Sequence, residues 1–297
     1  MTERDDESRP LRGRVVVVTR PREQALALIE PLELLGADVL VAPTIEIVPM
    51  PFGDELRAVV RDLGGYDLLI FTSANAVRHF ADRVAESLGS AAVTAALGGA
   101  MVAAVGPRTA EVLSERGLPC DIVPADFIAE GLIVALDDVE LDLDGAHVLI
   151  PRAVEARDVL PDALRQRGAR VDIVAVYETR PAEPLAVPAA RLAQADFITF
   201  TSGSTVYQFV ALMKAAGVEV GGAGATGAIG ASATGATTNT TSATTNTTSA
   251  TVGARFVSIG PQTSEALVGH GLAVAAEADP HTGEGLVCAI VALAGER

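Results

Sequence analysis

"VGPRTAEVLSERGL" occupies residues 105–118 and "IGPQTSEALVGHGL" residues 259–272 of the 297-residue chain. Gly, Pro, Thr, Glu, Leu, Gly and Leu stand at matching places in the two phrases. Each follows an apolar run and reads as strand, turn and helix start. Pro107 and Pro261 suit a first helical position, which puts Thr109 and Thr263 in the first turn. A doubled phrase of this kind calls for a search for longer repeats.

Two further segments recur in the same order. "VVTRPREQALALIEPLELLGADVLVAPTIEIVP" (17–49) matches "LIPRAVEARDVLPDALRQRGARVDIVAVYETRP" (149–181) at an offset of 132. "YDLLIFTSANAVRHF" (66–80) matches "ADFITFTSGSTVYQF" (195–209) at an offset of 129. The opening phrases, continued through "AEGLIVAL" and "GEGLVCAI", lie 154 residues apart. The chain reads as a tandem duplication.

Each copy has the same local logic. "RVVVVTR" is an uninterrupted β-branched run, as expected of a parallel strand buried on both faces. After Thr19-Arg20-Pro21 the apolar residues fall at Leu26, Ile29, Leu32 and Leu35, a helical spacing. Gly36 suits the helix end, and "DVLVAP" starts another strand. Strands alternating with helices imply α/β domains, with helices on both faces of parallel sheets. Two doubly wound domains are therefore expected.

The rise in offset from 129 to 154 locates an insertion of about 25 residues in the second copy, over roughly 221–252. It is rich in Gly, Ala, Thr, Ser and Asn, repeats "TTNTTSA" back to back, and reads as a flexible linker-like loop. Gly222, Gly224 and Gly227 form a formal GxGxxG. A dinucleotide site would need an amphipathic helix next and an acid about 20 residues on, and neither follows.

Composition narrows the function classes. Lys and Arg number 22 against 38 Asp and Glu, a formal charge of −16. Such a chain is a poor partner for nucleic acid or an anionic membrane surface. Residues 1–12 carry no apolar run, so a disordered arm rather than a signal peptide is expected. "SLGSAAVTAALGGAMVAAVGP" (87–107) is uncharged, but its Ala content and Gly98-Gly99 favour a helix end, a loop and a buried strand over a membrane helix. Cys120 and Cys288 form no CxxC pattern, and His79, His147, His270 and His281 fit no metal-ligand spacing. A soluble, cytoplasmic protein with a metal-free and cofactor-free site is the expectation.

In parallel α/β sheets, ligands collect at the carboxyl ends of strands, where helix N-termini present free N–H groups. Four such turns are rich in small hydroxyl residues: 72–75, 106–109, 201–204 and 260–263. One reading is helix capping; the other is a pair of anion-binding rims, one in each domain. The copies also differ: "PTIEIVP" in the first corresponds to "AVYETRP" in the second, so Tyr177 stands where Ile45 was. A phenol there is either a proton donor or an aromatic that fills space.

Taken together, "VVVVTRPREQA", "LLIFTSANAV", "AVGPRTAEVL", "VLIPRAVEARDVLPDALRQRGARVDIVAVYET", "ITFTSGSTV" and "SIGPQTSEAL" resemble the uroporphyrinogen-III synthase family, in order, over about residues 13–293. The resemblance implies two α/β domains from an interleaved duplication, residues 13–44 with 183–297 and residues 51–175. Residues 45–50 and 176–182 would be antiparallel linker strands, with the substrate held between the domains. It also implies a cyclodehydration of the linear tetrapyrrole hydroxymethylbilane in heme biosynthesis, with inversion of the terminal pyrrole ring, without metal or organic cofactor. Tyr177 then takes the place of the proton donor. Ser73, Thr109, Ser202 and Thr263 take substrate-binding places, with Arg20 and Arg152 as charge partners. The enzyme that makes hydroxymethylbilane is a candidate partner, and a monomer is expected. The rival reading, from another class, is a non-catalytic two-lobed binding protein for an anionic small molecule.

Overall fold

The computed structural model describes residues 9–89, 93–139, 141–182, 187–221 and 251–296. The chain divides into two compact units, Met1–Glu46 with Pro181–Arg297, and Ile47–Arg180. Each is built on one five-stranded sheet.

The first unit contains β1 (Val15–Val18), α1 (Arg22–Leu34) and β2 (Asp38–Val41). Its second part adds, among others, β8 (Phe197–Phe200), α9 (Gly203–Ala215), β11 (Arg255–Ser258), α10 (Pro261–Gly269), β12 (Val274–Glu277) and α11 (Gly283–Gly295). The sheet order is β12-β11-β8-β1-β2, with parallel neighbours. Alternation along the strands serves two cores. Val17, Ile198 and Phe256 pack with Phe209 and Leu267 of α9 and α10. Val16, Val18, Phe197 and Val257 pack with Leu28, Leu32, Leu286 and Ile290 of α1 and α11. Both faces of the sheet are covered, as uninterrupted apolar strands require.

The second unit holds β4 (Leu68–Phe71), α3 (Ala74–Leu88), β5 (Met101–Ala104) and α5 (Pro107–Glu115). These follow β3 (Ile45–Pro49) and α2 (Asp54–Arg61) and are followed by α6 (Ala129–Ala135), β6 (His147–Ala153), α7 (Val159–Gln166) and β7 (Arg170–Pro181). A four-residue α4 (Val93–Ala96) precedes β5, and α8 (Ala189–Leu192) precedes β8. The order is β3-β7-β6-β4-β5, with β4 parallel to β5 and β6, and β6 parallel to β7. A single parallel bridge, Ala103 to Ile122, stands beyond β5 where β12 stands beyond β11. Matching segments of the sequence repeat thus occupy matching places in the two sheets. The divide between the units falls within β3 and β7, which are neighbours in the second sheet.

The same backbone devices recur. At the ends of α1 and α7, Gly36 and Gly168 adopt φ +94° and +87°, and the N–H of Ala37 and Ala169 returns to Leu32 O and Leu164 O at 3.0 and 3.1 Å. This is the glycine-terminated closure that leaves few helix carbonyls unpaired. Asp196 Oδ2 accepts the Val15 N–H and Asp67 Oδ2 the His147 N–H, each at 2.8 Å, tying the starts of β1 and β6 to their neighbours.

Three sequence expectations are corrected. Leu11 is fully buried and its N–H donates to Leu35 O at 3.0 Å, so the arm expected over residues 1–12 does not extend through 9–12. The buried face of α1 is Ala25, Leu28 and Leu32, while Leu26 is 60% exposed. Thr251–Val252 (β10) pairs in parallel with Glu219–Val220 (β9), so strand pairing includes the end of the insert expected over 221–252. The rest of that insert, with its GxGxxG, lies outside the described residues. In residues 87–107, α3 ends at Leu88 and β5 is a short strand. Among the described residues, no helix is long and apolar enough to cross a membrane.

Candidate active site

Strand order decides where a ligand can sit. In each sheet the crossovers leave in opposite directions from the β1/β8 pair and from the β6/β4 pair, and the crevice at such a switch opens at the strands' carboxyl ends. The residues at those ends are Arg20 and Ser202 in the first unit, and Arg152 and Ser73 in the second. The next strand over, β11 or β5, runs into the helix whose first position is Pro261 or Pro107. Each unit therefore gathers an arginine, a serine and a threonine at adjacent strand ends.

The serines cap helices. Ser73 Oγ accepts the Ala76 N–H at 3.1 Å and Ser202 Oγ the Thr205 N–H at 3.3 Å, from extended backbone that suits an N-cap. Ser202 Oγ also lies 2.9 Å from Ser204 Oγ. Thr109 and Thr263 sit in the first turns of α5 and α10, but their side chains are buried. What those turns offer a ligand is their backbone N–H groups more than the hydroxyls. Arg152 is held: it donates to Asp158 Oδ1 at 2.7 Å and to Arg157 O at 3.0 Å.

Tyr177 is where the two units part company. Along β6 and β7 the register runs Arg152 to Ala175 and then Ala153 to Tyr177, leaving Val176 as the extra residue of a β-bulge. A bulge resets the alternation of side chains. Val176 and Tyr177 consequently both join the core beneath α3 and α5. This delivers the phenol to the rim, with its oxygen 3.0 Å from Ser73 Oγ. The His79 ring of α3 lies 5.7 Å from the Tyr177 ring, centroid to centroid, tilted by 35°.

Electrostatics keep this phenol protonated. Burial pushes the Tyr177 pKa above 10.0, the hydrogen bond with Ser73 pulls the other way, and the charge of Glu155 adds to the rise. Burial also lowers the pKa of His79 below 6.5; Asp82 opposes this, and Arg83, Arg78 and Arg116 add to it. A neutral imidazole therefore lies beside a neutral phenol. Among the described residues, no three His, Cys, Asp or Glu side chains cluster as metal ligands.

By sequence His79 fits no metal-ligand spacing, and neither Glu155 nor Arg78 stands out. The copy comparison held the missing signal. Position 79 pairs with Gln208 and position 78 with Tyr207 in the 129-residue register, so the second unit differs there as it does at Tyr177.

The family model described as uroporphyrinogen-III synthase HemD matches residues 27–288. A uroporphyrinogen-III synthase of Synechococcus elongatus is 31% identical over 288 residues, covering 95% of this chain and 96% of that one. One of Chlorobaculum parvum is 28% identical over 202 residues, 66% of this chain and 78% of the relative. In fold, the chain is similar to a crystal structure of a mutant uroporphyrinogen III synthase from Thermus thermophilus. That likeness has a TM-score of 0.60 at 20% identity and covers 96% of this chain and 100% of the other.

Proposed function

The chain belongs to the uroporphyrinogen-III synthase family, and from that premise we propose that it converts hydroxymethylbilane to uroporphyrinogen III as a cyclising hydro-lyase of porphyrin biosynthesis. The observation that carries the reading is the neutral Tyr177 phenol, delivered by a bulge to the strand-end rim, 3.0 Å from Ser73.

In this proposal Tyr177 is the catalytic acid. Its proton passes to the hydroxymethyl oxygen as the C–O bond breaks and water leaves with the bonding electrons. The pyrrole nitrogen's electron pair fills the deficit, giving an azafulvenium electrophile. The substituted α-carbon of the terminal ring attacks and forms a spiro intermediate. The bond from that carbon to its old neighbour then breaks, and the ring's free α-carbon captures the released electrophile, inverting the ring. Loss of that carbon's proton restores aromaticity and, passed to the phenolate, restores Tyr177. Direct closure needs no inversion, so the protein's main contribution is to hold the bilane in the productive shape.

We assign that hold to the turns at Ser73, Thr109, Ser202 and Thr263, with Arg20 and Arg152 supplying charge. Amides oriented at helix starts favour the substrate's carboxylates at short range, where a net charge of −16 is screened beyond about 8–10 Å. We further propose that it acts in the cytoplasm as a monomer, without a cofactor, on substrate from the hydroxymethylbilane-producing step.

The test is to supply freshly generated hydroxymethylbilane and separate the product isomers. The inverted isomer should form faster than spontaneous closure. Uninverted product alone, at the spontaneous rate, overturns the proposal and leaves an anion-binding protein.

A further inference from the structure

Of the described arginines on α3 and α5 and at the end of α5, all but one meet carboxylates. Arg83 meets Glu86 at 2.8 Å, and Arg108 meets Glu111 at 2.8 Å and Glu115 at 3.1 Å. Arg116 pairs with Asp82. Arg78 is the exception. Among the described residues it has no carboxylate within 4.0 Å, and its hydrogen bond is to Asn75 Oδ1 at 3.3 Å. That bond draws the guanidinium back along α3 toward the turn capped by Ser73. Arg78 is half-buried, and Arg108, from the first turn of α5, is a like charge in its surroundings. Burial comes first in acting against its charge, Arg108 and Arg116 add to that, and Glu115 acts in its favour. A guanidinium that touches no carboxylate, in a cluster whose other arginines do, near a strand-end crevice, is a site for an anion from outside the chain.

We infer that Arg78 is a specificity-determining residue that receives a carboxylate of the anionic pyrrole substrate at the second unit's rim. The inference rests on the synthase reading above and adds to it an arginine of α3 that, among the described residues, meets no carboxylate within 4.0 Å. Asn75 acts as the positioning residue, holding the guanidinium toward the rim when the site is empty. The repeat supports a dedicated role, because the matching position of the first unit holds the exposed Tyr207.

The experiment is steady-state kinetics with hydroxymethylbilane on wild type, Arg78→Gln and Arg78→Lys, at low and high salt. Arg78→Gln should raise KM about tenfold, the scale of one lost charge-assisted hydrogen bond, with the effect falling on KM rather than kcat. Arg78→Lys keeps the charge and should recover part of the loss. Salt should raise the KM of wild type more than that of Arg78→Gln, since the variant has one fewer attractive charge to screen. A purely structural arginine would not produce that salt difference. If wild type turns over and both variants keep its KM and its salt response, the inference fails alone. If wild type gives no inverted product, the synthase reading fails and takes the inference with it.

Discussion

In the first unit Thr19, Thr44, Thr199 and Thr205 are all buried beneath the strand-end turns, and their hydroxyls bind backbone carbonyls. Thr19 donates to Thr199 O at 2.7 Å, Thr199 to Val17 O at 3.1 Å, Thr44 to Thr205 O at 3.1 Å and Thr205 to Ser202 O at 2.7 Å. The matching positions of the second unit hold Pro151, Val176, Ile70 and Ala76, all buried and all apolar. The first unit thus stands on a satisfied polar brace, which fixes the turns and leaves no proton mobile. The second stands on an apolar bed interrupted by one phenol and one imidazole. An apolar bed raises the pH at which a tyrosine ionises, and the proposal puts the chemistry in the second unit and holding in both.

The sharpest way to break this division is Tyr177→Phe. It removes the hydroxyl and little volume, and kcat should fall about 10²-fold or more, the scale of one general acid, with KM little changed. A variant at the wild-type rate would return the second unit to a holding role.

Backbone comparisons come next in size. A Cβ on Gly285 of α11 would lie 1.9 Å from Pro280 O, and one on Gly131 of α6 would lie 2.1 Å from Asp126 O. These glycines hold the same place in the two copies, and in each the backbone must move to admit alanine. Gly285→Ala and Gly131→Ala should each cost about 2–3 kcal/mol. Gly269→Ala, exposed in α10 with nothing within 4 Å of the new atom, should instead gain about 0.5–1 kcal/mol from helix propensity. Urea midpoints would measure all three, and a neutral Gly285→Ala would undo the close approach inferred for both copies.

Ser73→Ala and Ser202→Ala separate capping from chemistry. Each loses an N-cap worth about 1 kcal/mol, so their stability losses should match. Only Ser73→Ala also frees the Tyr177 hydroxyl, and only it should lower kcat. Equal effects on kcat would mean that the Ser73–Tyr177 contact has no catalytic consequence.

How much of this was legible in the sequence follows from what leaves a trace there. The alternation of strands and helices and the six strand-end residues were accessible because the repeat aligns them and because apolar runs, glycines and Ser/Thr turns are local signals. The burial of α1 was misread because leucines at 26, 28, 32, 34 and 35 cover more than one face of the helix, so spacing alone does not choose between them. The bulge at Val176 has no local signature: one extra residue in a strand alters the side-chain alternation without altering composition. Without it Tyr177 reads only as a tyrosine in place of Ile45. The pairing of Arg152 with Asp158 depends on the path of the loop after β6, which the sequence pattern does not specify.

The smallest effect probes the imidazole. In the unfolded chain His79 would take up a proton near 6.5, whereas in the second unit burial delays protonation to lower pH. As pH falls through that interval the unfolded state binds more protons than the folded one, so stability must decline with it. His79→Gln gives α3 the residue that α9 carries at Gln208 and should flatten this part of the stability-versus-pH curve. Above pH 10.0 the raised pKa of Tyr177 acts in the opposite sense: the unfolded phenol ionises first, and stability falls as pH rises. Denaturation midpoints on either side of 6.5, for wild type and His79→Gln, isolate the first contribution. An unchanged slope in the variant would show that the imidazole is as well solvated as a surface histidine, and the neutral pair beside the rim would lose its physical basis.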